Sequence, residues 1–273
     1  VEEEVDPGGV ACGGEDVAVL PLVAWLLRDR PRDVGAVLYS GTAADDVEPV
    51  RAGAARAAVQ GLVLAARSRP FWLLAAGFFI CGMSTNGLVQ PHFIPAAHDH
   101  GMPVTTAAGL LAVVGVFDIA GTVFSGWLTD RVDPRVLLLA YYGLRGLSLF
   151  ALPTLFGPDL HVSMIAFIVF HGLDWLATVP PTLALCREHF GARAPVVFGW
   201  VFASHQVGAA VAAFGGGVIR DVTGSYDLAW FLAGGLCLVA AAAAISIRRN
   251  LAPPTATALP TDRGEAAAAQ AHG

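Results

Sequence analysis

The sequence predicts an all-α polytopic membrane protein, a bundle of six transmembrane helices, and three observations carry that prediction. Of 273 residues, 55% are hydrophobic and only 14% charged, where an ordinary soluble domain carries about a quarter charged residues; mean hydropathy is +0.62. Six stretches reach the roughly 20 apolar residues needed to cross a bilayer core. The 16 basic residues, every one an arginine, fall asymmetrically between alternate connections.

The six stretches run over residues 71–97, 105–127, 136–156, 161–185, 195–219 and 227–247. The first is long enough to tilt, or to break at Pro91 and Pro95. Gly77, Gly82 and Gly87 are expected to loosen it, and Pro180-Pro181 to bend the fourth near its inner end. In the fifth, Gly208, Ala212 and Gly216 recur every four residues, a small-residue face that admits a neighbouring backbone. The sixth has no charge between Asp227 and Arg248 and reads as a lipid-facing support.

The run Val17 to Leu27 is too short to span and meets Arg28-Asp29-Arg30 at once, so it reads as the tail of a truncated helix. The acidic start (VEEEVDPGGVACGGED) lacks the basic opening and cleavage site of a signal peptide. The expected organisation is a helix remnant over 1–27, a cytoplasmic linker over 28–69 with a short amphipathic helix near Ala54–Ala66, a six-helix domain over 70–249, and a disordered Pro/Ala/Thr-rich tail over 250–273.

Arginine placement orients the bundle. Seven lie in 28–69, two in 128–135, two in 186–194 and three after 247; the opposite connections hold only Arg220, and Arg145 lies inside a helix. The positive-inside rule then puts both termini and the linker in the cytoplasm of a multi-pass cell-membrane protein.

Several classes are excluded. A net charge of −6 with no dense basic patch speaks against nucleic acid. Cys12, Cys81, Cys186 and Cys237 lie far apart, with neither disulfide-framework nor zinc-ligand spacing. No phosphate-binding loop is present, so the chain does not power transport by its own ATP hydrolysis, and no cofactor is implied. His92, His98, Asp99 and His100 cluster at the outer end of the first span; they read as solvated residues rather than a metal site.

Ionisable groups inside spans are the informative exceptions, each costing about 2.5–3.5 kcal/mol at the centre of a helix. Asn86, Asp118, Arg145, Asp174, and His205 with Gln206 fall at similar depths on five helices. His171, Asp174 and Thr178 are spaced to share one face of the fourth span. Secondary transporters place solute and coupling-ion sites at this depth. Asp118, Asp174, His205, Gln206, Asn86, His171 and Arg145 are therefore the candidate substrate- and proton-binding residues. Arg145 reads equally as a structural counter-ion for Asp118 or Asp174.

The connection Gly126-Trp127-Leu128-Thr129-Asp130-Arg131-Val132-Asp133-Pro134-Arg135 resembles the GxLxDR…R signature of the major facilitator superfamily. The run from Gly217 to Tyr226 is similar to that superfamily's exit from helix 11, and Trp25 to Gly35 to its exit from helix 6. The resemblance implies that the six spans are helices 7–12, the C-terminal half of a major facilitator fold, with the N-terminal half missing. It assigns Gly126, Asp130, Arg131 and Arg135 to a cytoplasmic gating motif. Within the superfamily the chain looks most like the monocarboxylate and oxalate–formate porters, in which an acidic residue of helix 8 and a basic one of helix 11 handle protons and organic anions. Asp118 and His205 stand near those places, but Thr122 stands where monocarboxylate carriers have an arginine one turn later.

The reading is thus half of a secondary active transporter, not an enzyme, moving a small solute such as an organic anion by proton- or solute-coupled alternating access. The expected partners are the bilayer, the solute and the missing half. The alternatives are a truncated, non-transporting product or partner half, and an intramembrane enzyme using His171, Asp174 or His205; no GxSG-type nucleophile or HExxH motif supports the latter.

Overall fold

The computed structural model describes residues 53–248, and all regular structure among them is helical. The expectations for residues 1–52, including the short apolar run and most of the linker, lie outside the described residues, as does the tail from 249. The short helix foreseen before the first span is α1, Ala54–Ala65. Trp200 Nε1 donates to its Ala58 carbonyl at 2.9 Å, tying it to the bundle.

The first pass is α2, Arg69–Gly82, a π-helical stretch Met83–Val89, and α3, Gln90–Asp99. The predicted irregularity therefore lies ahead of Pro91. Proline has no N–H and its ring crowds the carbonyl four residues back, which here is Gly87, and the preceding turn widens to the i→i+5 pattern, with Gln90 N–H reaching Thr85 O. Ser84 and Thr85 hydroxyls both donate to the Cys81 carbonyl, at 3.0 and 2.8 Å.

Next come α4, Val104–Thr129, and α5, Pro134–Leu155, the latter capped by the Asp133 carboxylate accepting from Arg135 N–H. The fourth pass is broken into α6, Val162–Asp174, and α7, Val179–Phe190. The break precedes Pro180-Pro181 by a turn, because the two prolines supply no N–H for the Leu176 and Ala177 carbonyls. Leu176 O accepts instead from Val179 N–H at 2.9 Å, and Ala177 O from the Ser125 hydroxyl at 2.5 Å. His171, Asp174 and Thr178 are all buried, but Thr178 lies in the break, as the N-cap of α7, and does not continue the α6 face of the other two.

The fifth pass, α8, Ala194–Thr223, follows a 3-10 turn at Gly191–Arg193, and the sixth is α9, Asp227–Ile245. Long apolar helical runs suited to crossing a membrane are Arg69–Asp99, Val104–Thr129, Pro134–Leu155, Val162–Thr223 and Asp227–Ile245. The 62-residue run would extend ~93 Å if straight, about three times the hydrocarbon core. It turns back at Gly191, whose φ is +53°, and so supplies two passes, making six among the described residues.

Close approaches show how the passes pair. A Cβ built on Gly82 would lie 1.9 Å from His205 O, and one on Gly208 2.1 Å from Phe79 O; Gly87 and Gly216 are similarly crowded by α8 and by His92. The first and fifth passes therefore run parallel in contact, and the expected Gly208–Ala212–Gly216 face is real. Gly82 and Gly87, expected to loosen the first pass, instead lock it. Gly121 meets Leu173 O at 2.0 Å, and Gly172 meets Val114 O at 2.8 Å, which joins α4 to α6, again in parallel. Gly146 and Gly234 face one another where α5 packs antiparallel on α9. The sixth pass keeps a broad exposed apolar side, including Leu232 and Val239, as foreseen.

Candidate functional site

Arg145 lies on α5 and has no solvent exposure. Its Nε donates to Asp174 Oδ2 at 2.6 Å, and Nη2 donates to the carbonyls of Asp174 at 2.5 Å and Trp175 at 3.2 Å. Nη1 faces Cys81 Sγ at 3.1 Å and Ser84 Oγ at 3.5 Å. Of its two possible partners it pairs with Asp174, and it also caps the carbonyl end of α6 where the pass breaks. A cation at a helix C-terminus completes the unsatisfied carbonyls there.

Asp118, on α4, grips the same break from the other side. Its Oδ1 accepts from Leu176 N–H at 3.0 Å and from the Thr122 hydroxyl at 3.2 Å. The two free ends of an interrupted helix are thus held by two ionisable residues from neighbouring passes. That arrangement keeps irregular backbone inside protein at membrane depth, the condition under which a bilayer tolerates it.

Asp118 also lines a cavity of about 330 Å³ with Asn86, Gln90, Leu111, Val114, Gly115 and Trp175. Of the predicted polar residues, the structure brings Asn86 and Asp118 together here. Gln90, one helical turn past Asn86, joins them; its i+4 spacing was the signal that could have found it. Trp175, in the break, carried no such signal.

The others lie elsewhere. Asp174 and Arg145 form the buried pair. His171 is fully buried, stacked on Phe167 with ring centroids 5.1 Å apart; neither of its nitrogens, nor Asp174 Oδ1, has a hydrogen-bond partner among the described residues. His205 is buried between the Phe78 and Phe202 rings, 5.3 and 5.5 Å away, with the Cys81 thiol beside it, and it does not line the cavity. Gln206, its neighbour, points to the exposed side of α8.

In the 126–135 connection, Arg135 is paired with Asp133 and donates to Ile247 O at 3.1 Å, linking the ends of α5 and α9. Arg131 lies 4.1 Å over the Trp127 ring and donates to the Trp127 carbonyl. Asp130 is exposed, with no ion-pair partner among the described residues. Among the described residues a Cβ at Gly126 meets open space, whereas one on Gly121, five residues earlier, would lie 2.0 Å from Leu173 O.

At the opposite end, Arg220 makes a two-point ion pair with Asp99, at 2.8 and 3.0 Å, which joins the first and fifth passes. His92 bonds the Ala213 carbonyl and His100 the Ala96 carbonyl. Among the described residues no cluster of three metal-ligating side chains exists. Because the Asp99–Arg220 pair is about a third exposed, Asp99→Asn is expected to leave the midpoint of detergent unfolding nearly unchanged.

Comparison with known proteins agrees with this architecture. The chain is 32% identical over 166 residues to the uncharacterized MFS-type transporter YcxA of Bacillus subtilis (strain 168), covering 59% of this chain and 40% of that one. It is 31% identical over 165 residues to monocarboxylate transporter 13 of Rattus norvegicus, covering 57% and 38%. With monocarboxylate transporter 12-B of Danio rerio the identity is 29% over 174 residues, covering 60% and 35%. The chain thus spans roughly two-fifths of the length of the curated relatives it matches. The Major Facilitator Superfamily profile matches residues 17–213. With that match over most of its length, and an all-helical multi-pass bundle beneath it, the chain belongs to the Major Facilitator Superfamily.

Proposed function

We propose that this bundle is one half of a secondary active transporter, and that the cavity beside Asp118 is its share of the solute site. The observation that carries the reading is the double engagement of Asp118. The residue lines the cavity, and its Oδ1 holds the Leu176 N–H of the broken pass. A proton or solute group bound at this carboxylate competes with its hold on the break. Occupancy of the cavity is thereby linked to the angle between α6 and α7, which is the coupling that alternating access needs.

The relatives named monocarboxylate transporters support a small organic acid as the solute. The lining of this half adds a condition. Among the described residues it offers one carboxylate, two side-chain amides and an indole, and no cation. Thr122, at the place of the carriers' arginine, is engaged with Asp118. An organic acid meeting this lining enters with its charge neutralised, by a proton or by a cation of the complementary half. Gly126, Asp130, Arg131 and Arg135 then act at the arginine-rich end, and exposed Asp130 is free to pair across the gate.

Asp118→Asn in the complete protein is expected to abolish gradient-driven accumulation while leaving the membrane-inserted amount unchanged. Radiolabelled uptake into vesicles with an imposed pH gradient, alongside immunoblots of the membrane fraction, reads both. Undiminished accumulation would remove Asp118 from the mechanism.

A further inference from the structure

A furrow on the outside of the bundle has no part in the transport reading. Between α2, α8 and α9 lies a trough of about 500 Å³, lined by Trp72, Ala76, Phe79, Met83, Ser204 and Leu236 among others. A second trough of about 240 Å³ shares Met83 and Leu236 with it and continues past Leu88 and Ile219. From Trp72 to Leu88 the helix rises ~24 Å, most of the ~30 Å hydrocarbon thickness. The furrow therefore runs along the spanning direction for nearly the depth of a bilayer.

Its floor is apolar and closed. Among the described residues the one hydroxyl on the first trough, Ser204 Oγ, is engaged with the carbonyls of Ala75 at 2.8 Å and Val201 at 2.6 Å. Beneath it, the contact of Gly208 with the Phe79 carbonyl leaves no gap between the helices. Water there would lack the two or more polar partners that hold a buried water, and a polar solute would fare no better. Hydrocarbon meets no such penalty.

One end of the furrow is chemically marked. Trp72 is 60% exposed, and its indole N–H donates to Ala66 O at 2.8 Å, which fixes the ring at the rim. Arg69, one turn before Trp72, and Arg67 are both exposed, with no ion-pair partner among the described residues. From the turn ahead of α2 into that helix the order is two guanidinium groups without an ion-pair partner among the described residues, an amphipathic ring at interface depth, then an apolar trough. That is the order of a phospholipid with an anionic headgroup: phosphate, glycerol region, acyl chain.

We propose that this furrow is a binding site for an anionic phospholipid, its phosphate held by Arg67 and Arg69 and one acyl chain lying along the trough from Trp72 to Met83. The site does not depend on the role given to Asp118, and its failure would leave the transport reading intact.

The test is retention of added lipid by the purified full chain, read by native mass spectrometry, with phosphatidylglycerol set against phosphatidylcholine of the same acyl chains. Two arginines near an anionic headgroup predict a preference of roughly ten- to thirtyfold for phosphatidylglycerol. Arg67→Gln with Arg69→Gln should bring that preference close to unity. Ala76→Trp, which places an indole in the trough from an exposed position, should reduce retention of both lipids. Should Ala76→Trp fail to fold, the part of the tryptophan quenching by bromine-labelled phosphatidylglycerol that Trp72→Phe removes provides the same reading. Equal retention of the two lipids by the unaltered chain would overturn the proposal. So would cross-linking of a cysteine introduced at Ala76 to another polypeptide segment with no lipid retained, since a protein helix would then fill the furrow.

Discussion

Arg145→Leu is expected to destabilise the bundle by about 3–5 kcal/mol, the range for breaking a buried ion pair by removing one partner. The loss has two sources. Asp174 would be left as an uncompensated buried carboxylate, and the Asp174 and Trp175 carbonyls at the break would lose their donors. Adding Asp174→Leu removes the first source and not the second, so the double variant should recover more than half of the lost stability. Arg145→Lys keeps the charge but not the planar fork that reaches the Asp174 carboxylate and two carbonyls, and should fall between the two. Unfolding in mixed detergent micelles followed by circular dichroism measures all of these. Strictly additive losses in the Arg145 and Asp174 single and double variants would mean the two are not energetic partners.

Gly82→Ala and Gly121→Ala should each cost about 3 kcal/mol or more, at or above the upper end of core overpacking. In both cases the new methyl meets a backbone carbonyl, 1.9 Å away in His205 and 2.0 Å away in Leu173. No rotamer change relieves such a clash; two helices must part. Gly126→Ala is the internal control. Its methyl meets open space, and replacing a helical glycine is then worth about 0.5–1 kcal/mol in the stabilising direction. The same unfolding assay separates them, and an equal loss at Gly126 and Gly121 would contradict the packing described.

Much of the architecture was legible because a bilayer imposes length and polarity on every span. The six apolar runs, the short helix before the first, and the small-residue face of α8 all appear where the sequence puts them. What one-dimensional order does not convey is azimuth. Asp118 and Asp174 lie at similar depth, so depth alone left Arg145 with two partners, and only the rotation of α4 and α6 selects Asp174. The same blindness made His205 and Gln206 look like one polar feature, although adjacent residues on a helix point about 100° apart. Glycine shows it again: Gly126 belongs to a motif and Gly121 does not, yet Gly121 faces a backbone. The break ahead of Pro180 was misplaced by a turn because proline acts on the carbonyls four residues before it.

The π-helical stretch Met83–Val89 has a consequence for how the first pass tolerates changes in length. A π turn accommodates one residue more than the surrounding α-helix while leaving both flanks in register. Deleting a single residue within this stretch, Val89 for example, therefore restores ordinary winding instead of rotating everything beyond it by 100°. Gly82 would stay against His205 and His92 against the end of α8. Asn86 and Gln90, then three residues apart, would still share a helix face. A one-residue deletion here is therefore expected to leave both flanks packed on α8, whereas the same deletion in a plain α-helical stretch would rotate everything beyond it.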